Sequence, residues 1–155
     1  MKAAMAGAAA VLAAIDVIAA RKVPLDVRAV VATTENMVGP SAQRPGDVVV
    51  SADGKTVEIL NTDAEGRLVI AYALWYTRRE GATHILDLAT LTGAMELALG
   101  DLYGGLFSND DDWRVLIVAA SERSGDFAWP FPLHARSRRS LSSASPGLET
   151  GRALA

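Results

Sequence analysis

The stretch Asn61-Thr62-Asp63-Ala64-Glu65-Gly66-Arg67-Leu68 carries the most information in this chain. In extended backbone, side chains two residues apart point the same way. Asp63 and Glu65 are therefore expected to present both carboxylates to one spot, and Arg67 can share that side. Gly66 permits a tight change of direction, after which residues 67–79 read as a helix. Leu68, Ala71, Leu74 and Trp75 fall at helical spacing, Arg78 and Arg79 suit the negative end of its dipole, and Gly81 stops it. Two convergent carboxylates beside a fixed cation suit a hard or borderline divalent metal, with the arginine steadying a neighbouring anion. On spacing alone, solvated or helix-capping acids are the commoner explanation.

On the N-terminal side of that stretch, residues 47–51 and 55–60 are β-rich runs around Ala52-Asp53-Gly54. An Asp-Gly turn between β-branched runs predicts a hairpin. Residues 35–46 hold two Pro and two Gly and read as loop, and residues 26–33 alternate as a strand does. Met5, Ala8, Ala9, Leu12, Ile15, Ile18 and Ala19 predict one buried face of an N-terminal helix. Lys2 followed by the alanine-rich run also has the order of a secretory leader, but Asp16 interrupts it. The run reads as too short and too weakly apolar to span a membrane.

On the C-terminal side, residues 84–89 read as a strand, 94–99 as a short helix and 102–107 as an extended run. A last helix opens on Asp110-Asp111-Asp112, whose acids suit its N-terminus, runs through Arg123 and closes at Gly125. Alternating helices and strands predict an α/β class with a mixed, largely parallel sheet flanked by helices. Residues 1–136 are expected to form one domain, and 137–155 a Ser-, Arg- and Ala-rich low-complexity, disordered tail.

Composition narrows the chemistry. With 155 residues the chain can bury a sizeable core. A net charge of −3 without a basic stripe argues against a nucleic-acid partner, and Arg136, Arg138 and Arg139 read as a solvated loop. The absence of cysteine excludes disulfides, thiolate ligands and a cysteine nucleophile, and two histidines cannot make a His-rich zinc site. His84 and His134 read as structural or solvated. Ser41 and Ser108 lack a histidine base at a recognisable spacing. Trp75 and Tyr76 read as core or subunit contacts.

The string NTDAEGRL at 61–68 is similar to the signature of leucyl (cytosol-type) aminopeptidases, which are dinuclear metal enzymes. Thr34–Met37, Arg44–Val48, Asp87–Ala94 and Gly105–Asp110 resemble the family's flanking segments, and Met1, Lys2 and Met5–Val11 its first helix in this region. The likeness covers roughly residues 1–133. It implies an incomplete leucyl-aminopeptidase-type catalytic domain of a cytoplasmic metalloaminopeptidase. Such an enzyme hydrolyses N-terminal, leucine-like residues from peptides with two zinc or manganese ions, and assembles as a homohexamer. Carried over by position, Asp63 and Glu65 match metal ligands, Arg67 matches the arginine that holds a bicarbonate-type base, and Thr90, Leu91 and Gly93 match a turn lining the substrate cleft. Membrane and nucleic-acid partners are not implied.

The chain also departs from the family pattern. Ala4 stands where the family has a further aspartate ligand, and Tyr72 where it usually has an aspartate. A lysine and an aspartate ligand, with a catalytic lysine, belong to a family strand and loop that come before Met1 in the family pattern. These departures imply a truncated or misassembled product, a fragment or a decayed paralogue, and add a second expectation, a non-catalytic remnant or interaction partner of a full-length aminopeptidase. An anion-binding module at the helix start near Gly66 and Arg67 is a weaker third.

Overall fold

The computed structural model describes residues 2–137 and the backbone of Glu149 and Thr150. These fall into two units, residues 2–91 with 149–150 and residues 92–137. The expected tail over 137–155 therefore lies largely outside the described residues.

The first unit is organised by the predicted hairpin. Strand β1 (Val48–Val50) pairs antiparallel with β2 (Thr56–Glu58), Val49 opposite Val57. The Ser51 amide donates to Lys55 O at 2.8 Å and the Gly54 amide to Ser51 O at 2.9 Å. Gly54 takes φ +85°, the left-handed position that a three-residue hairpin loop requires. The pairing continues past β2, with the Ile59 amide donating to Asp47 O and the Gly46 amide to Ile59 O. Val57 and Ile59 lie two apart, so they share a face, and both are buried; Ala64 is the other buried hydrophobic residue among those described. This small core stands directly before the 61–68 stretch. Backbone at Glu149–Thr150, β5 in chain order, lies parallel to β2.

Helix α1 (Ala6–Ala20) follows a 3-10 turn at Ala3–Met5. Its covered face differs from the predicted one. Gly7 is buried and Ala8, Val11, Ile15 and Ile18 are half-buried, whereas Met5 and Leu12 are exposed. Gly7 sets the orientation, because a Cβ there would overlap the Leu88 carbonyl oxygen, so the helix approaches closest where it has no side chain. The membrane expectation also needs correcting. Ala3–Ala20 has a mean hydropathy of 2.1 over 18 residues, long and apolar enough to cross a membrane by length and composition.

Helix α2 (Glu65–Arg79) ends at Gly81, φ +86°, as expected, with Arg78 and Arg79 in its last turn. Trp75 is half-buried and Tyr76 exposed, with the Arg79 guanidinium 5.4 Å from the Trp75 ring centre, so a core position is not realised for Tyr76. Residues 26–33 and 84–89 carry no assigned strand, contrary to the expectation that both are strands. Alternation specifies a face to be covered, whereas a strand also needs a ladder partner at the right register.

In the second unit, α3 (Ala94–Leu99) ends at Gly100 and leads to β3 (Gly104–Leu106), which pairs parallel with β4 (Ala128–Pro130). The connection is α4 (Asp111–Ser124), a βαβ crossover. On one face of this ribbon Tyr103 packs with Phe127 and Trp129, and Phe107 stacks on Phe131 at 5.3 Å. Gly105 lies among them, where a Cβ would overlap the Met95 sulfur. Buried Ser121 ties α4 to β4, its Oγ donating to Val118 O at 2.8 Å and accepting from the Ala128 amide at 3.3 Å. Two of the three strand pairs are parallel, so the expected α/β class with a mixed, largely parallel arrangement holds, divided between two small sheets.

Candidate functional site

Ile59 anchors the end of the hairpin, and the chain turns from it into Asn61. The Asn61 side chain accepts the Asp63 amide at 3.0 Å and caps a 3-10 turn over Thr62–Ala64. Helix α2 starts immediately afterwards, with Glu65 as its first residue at φ −63°, ψ −36°. The extended backbone expected at 63–65 is therefore not formed, because the Asn61 cap winds the chain two residues early. The two-residue alternation of a strand does not apply here, and in helical backbone residues two apart differ by about 200° around the axis. Any shared point for Asp63 and Glu65 has to come from side-chain reach.

The two acids occupy different surroundings. Asp63 is exposed, and its carboxylate makes no hydrogen bond among the described residues. Glu65 is half-buried, and its Oε2 is shut off from solvent without a hydrogen-bond partner among the described residues. A buried carboxylate oxygen left unsatisfied costs free energy unless something cationic completes it. Arg67 lies on the same first turn, half-buried, with its Nε also shut off from solvent.

One further segment of this unit, residues 90–91, reaches the helix start. Gly66 lies against Leu91, so that a Cβ on Gly66 would come within 2.9 Å of Leu91 Cδ2. Thr90 uses its hydroxyl as a bracket to the N-terminal segment, donating to Ala4 O at 2.8 Å and accepting from the Gly7 amide at 3.4 Å. Thr90 and Leu91 thus connect the starts of α1 and α2 through their side chains. Gly93 belongs to the second unit, where it caps α3. Sequence reasoning missed the roles of Asn61 and Gly7. Their signals were an Asx residue just ahead of a helical run and a lone glycine within one.

Two acids of α4 and both histidines are committed elsewhere. Asp110 caps α4 and Asp111 pairs with Arg114. His84 Nδ1 bonds Thr83 Oγ1, and His134 Nδ1 accepts the Arg136 amide. Among the described residues, no group of three His, Asp or Glu side chains can hold one ion. The oxygen chemistry of Glu65 and Asp63 therefore fits a share of a divalent-metal site, and the described residues do not supply the remainder.

The description "Cytosol aminopeptidase family, catalytic domain" matches residues 1–150. A "Probable cytosol aminopeptidase" of Solibacter usitatus is 52% identical over 133 residues, covering 86% of this chain and 28% of that protein. The "Cytosol aminopeptidase" of Rickettsia prowazekii is 49% identical over 131 residues, 84% of this chain and 26% of its own length. A solved mutant of tomato leucine aminopeptidase superposes with a TM-score of 0.85 at 40% identity, covering 94% of this chain and 29% of that one. This chain thus spans between a quarter and a third of each relative. With the family's catalytic domain matched across nearly all of it and half the aligned residues identical to those relatives, the chain belongs to the cytosol aminopeptidase family.

Proposed function

We propose that this chain supplies part of the metal site of an aminopeptidase that removes N-terminal, leucine-like residues from peptides. The observation that carries the reading is Glu65 Oε2, shut away at the start of α2 with no hydrogen-bond partner among the described residues. Glu65 and Asp63 would hold zinc or manganese. Such an ion, when bound, supplies Lewis-acid polarisation of the scissile carbonyl and acidifies water. Arg67 positions a small carbonate-like anion beside them, its guanidinium fork suited to planar oxyanions. Thr90, Leu91 and Gly93 belong to the substrate side. Relatives named cytosol aminopeptidase support a cytoplasmic location.

A second reading, a non-catalytic remnant that partners a full-length aminopeptidase, is favoured by two observations. No third ligand joins the two acids among the described residues, and a methyl group at Ala4 stands in the family's ligand position. One experiment separates the readings: zinc and manganese binding, with leucyl-p-nitroanilide turnover, for the native chain and for Asp63→Ala. Metal-dependent turnover lost in the variant supports the enzyme and excludes the remnant. Absence of both turnover and stoichiometric metal excludes the enzyme.

A further inference from the structure

We infer that Asp53-Gly54 is a self-modification site, where the chain converts to an isoaspartyl linkage, and that Ser51 and Lys55 set the rate of that conversion. It is the one Asp-Gly pair in the chain, which has no Asn-Gly pair. In the reaction the Gly54 nitrogen attacks Asp53 Cγ and a C–N bond forms. One carboxyl oxygen leaves as water, with the amide proton and the carboxyl proton. The five-membered imide then takes up water at the Asp53 main-chain carbonyl. The bond from that carbon to the Gly54 nitrogen breaks, and the chain continues through Cγ. Water is lost and regained, so nothing else is consumed.

The turn leaves room for this chemistry. Asp53 and Gly54 are both exposed, and a Cβ built on Gly54 would meet nothing within 4 Å. Three contacts hold the reaction back. The Gly54 amide donates to Ser51 O at 2.9 Å, which ties up the attacking nitrogen. Ser51 Oγ lies within hydrogen-bond reach of Asp53 Oδ1 and of Lys55 O, and Lys55 Nζ lies 3.0 Å from Asp53 Oδ2. Both carboxylate oxygens are thereby engaged. Bonds to the charged form favour it, so the neutral carboxyl, which can release an oxygen as water, stays scarce. Cyclisation would also remove the charge on which these bonds depend.

The product matters to the fold because the isoaspartyl linkage adds a carbon atom to the backbone of a short hairpin loop. That loop closes through the Ser51 amide on Lys55 O at 2.8 Å and sets Val49 opposite Val57. A lengthened loop no longer fits that register. Strand β2 leads directly into Ile59 and the Asn61 cap, so conversion at the turn loosens the start of α2. The inference is independent of metal binding and stands or falls separately from the proposed activity.

The test incubates the full 155-residue chain in mildly acidic buffer, with and without urea, and follows isoaspartate at position 53 by electron-transfer mass spectrometry. Unfolded in urea, the native chain should convert about tenfold faster than when folded, the scale of one hydrogen bond to a charged group. Ser51→Ala and Lys55→Met should each speed conversion of the folded chain, while Ser51→Thr and Lys55→Arg keep the native rate. Hydrogen exchange at the Ile59 amide, which donates to Asp47 O, reports whether the hairpin stays closed in each variant. Acceleration with that amide still protected assigns the hold to the two side chains. Equal rates with and without urea, or no acceleration in Ser51→Ala and Lys55→Met, would overturn the inference. So would acceleration confined to variants whose Ile59 amide has lost its protection.

Discussion

At the start of α4 the Asp110 carboxylate accepts the Trp113 amide at 2.7 Å and Asp111 pairs with Arg114 at 2.8 Å. At the start of α2 the acids are Asp63 and Glu65, the preceding Ala64 offers no side-chain cap, and Glu65 Oε2 is buried without a hydrogen-bond partner among the described residues. Both stretches place acids where the helix dipole favours them. The α4 acids are consumed by local bonds and hold the helix end. The α2 acids leave oxygen valence over, and the helix end is held instead by burial of Ile59 and Ala64 beside it. An acidic helix start is therefore informative only once its oxygens have been accounted for, and here that accounting separates a structural cap from a candidate ligand.

If packing rather than capping holds the α2 start, truncating Ile59 should be the most damaging change. Ile59→Ala is expected to cost about 2–5 kcal/mol, as large-to-small changes at fully buried sites do. Asp110→Ala, which removes only the α4 cap, should cost about 1 kcal/mol. Urea unfolding followed by Trp fluorescence measures both, and equal costs would dissolve the distinction between the two helix starts.

Glu65→Gln tests the leftover valence itself. Removing the charge from a buried, unbonded oxygen should raise the stability of the metal-free chain by about 1 kcal/mol, even though a native side chain has been altered. The same variant should lose the stabilisation that added zinc gives the native chain, which grows with the logarithm of zinc concentration. Thermal melts with and without zinc report both effects. A variant that is less stable without metal and still responds to zinc would show that Glu65 serves the fold.

The contrast between the helix starts was partly legible from sequence. Asp110, the acidic first turn and Gly125 mark α4 locally, and the structure places all three as read, with Gly125 at φ +78°. The hairpin was equally legible, because Asp53-Gly54 sets its turn within a few residues. The α2 start differs from the sequence reading by two residues, because 63–65 read as extended backbone before a helix from Arg67, whereas Asn61 caps a turn that leads into the helix at Glu65. That difference changes the side-chain geometry of the candidate site. The face of α1 was misread because apolar spacing cannot reveal that Gly7 must sit against the Leu88 carbonyl, a contact more than 80 residues away along the chain. Residues 26–33 and 84–89 were read as strands from a pattern that describes one face and carries no information about the neighbouring chain. The identity of the site rested on eight consecutive residues, and the burial of Glu65 Oε2 could be learned only from the fold.

A third carboxylate extends the comparison to full exposure and gives the smallest expected effect. Asp53 in the hairpin turn is held down to a pKa of about 2 from 3.8, first by the hydrogen bond from Ser51 Oγ and then by Lys55, whose Nζ lies 3.0 Å away. Because its folded pKa lies below its unfolded one, Asp53 contributes stability above about pH 3.8, and that contribution fades as pH falls through about 2. Solvent and salt screen such a group, so the change should be confined to the turn and weakened at high ionic strength. Chemical shifts of Ser51, Gly54 and Lys55 should titrate together between about pH 4 and 2, and Asp53→Asn should remove that titration without altering the melting of α4. If those shifts instead followed an ordinary exposed aspartate, the turn's bonds would not persist in solution. Asp53 would then join Asp63 as a carboxylate that no neighbour holds, and the distinction between spent and unspent acids would rest on the α4 cap alone.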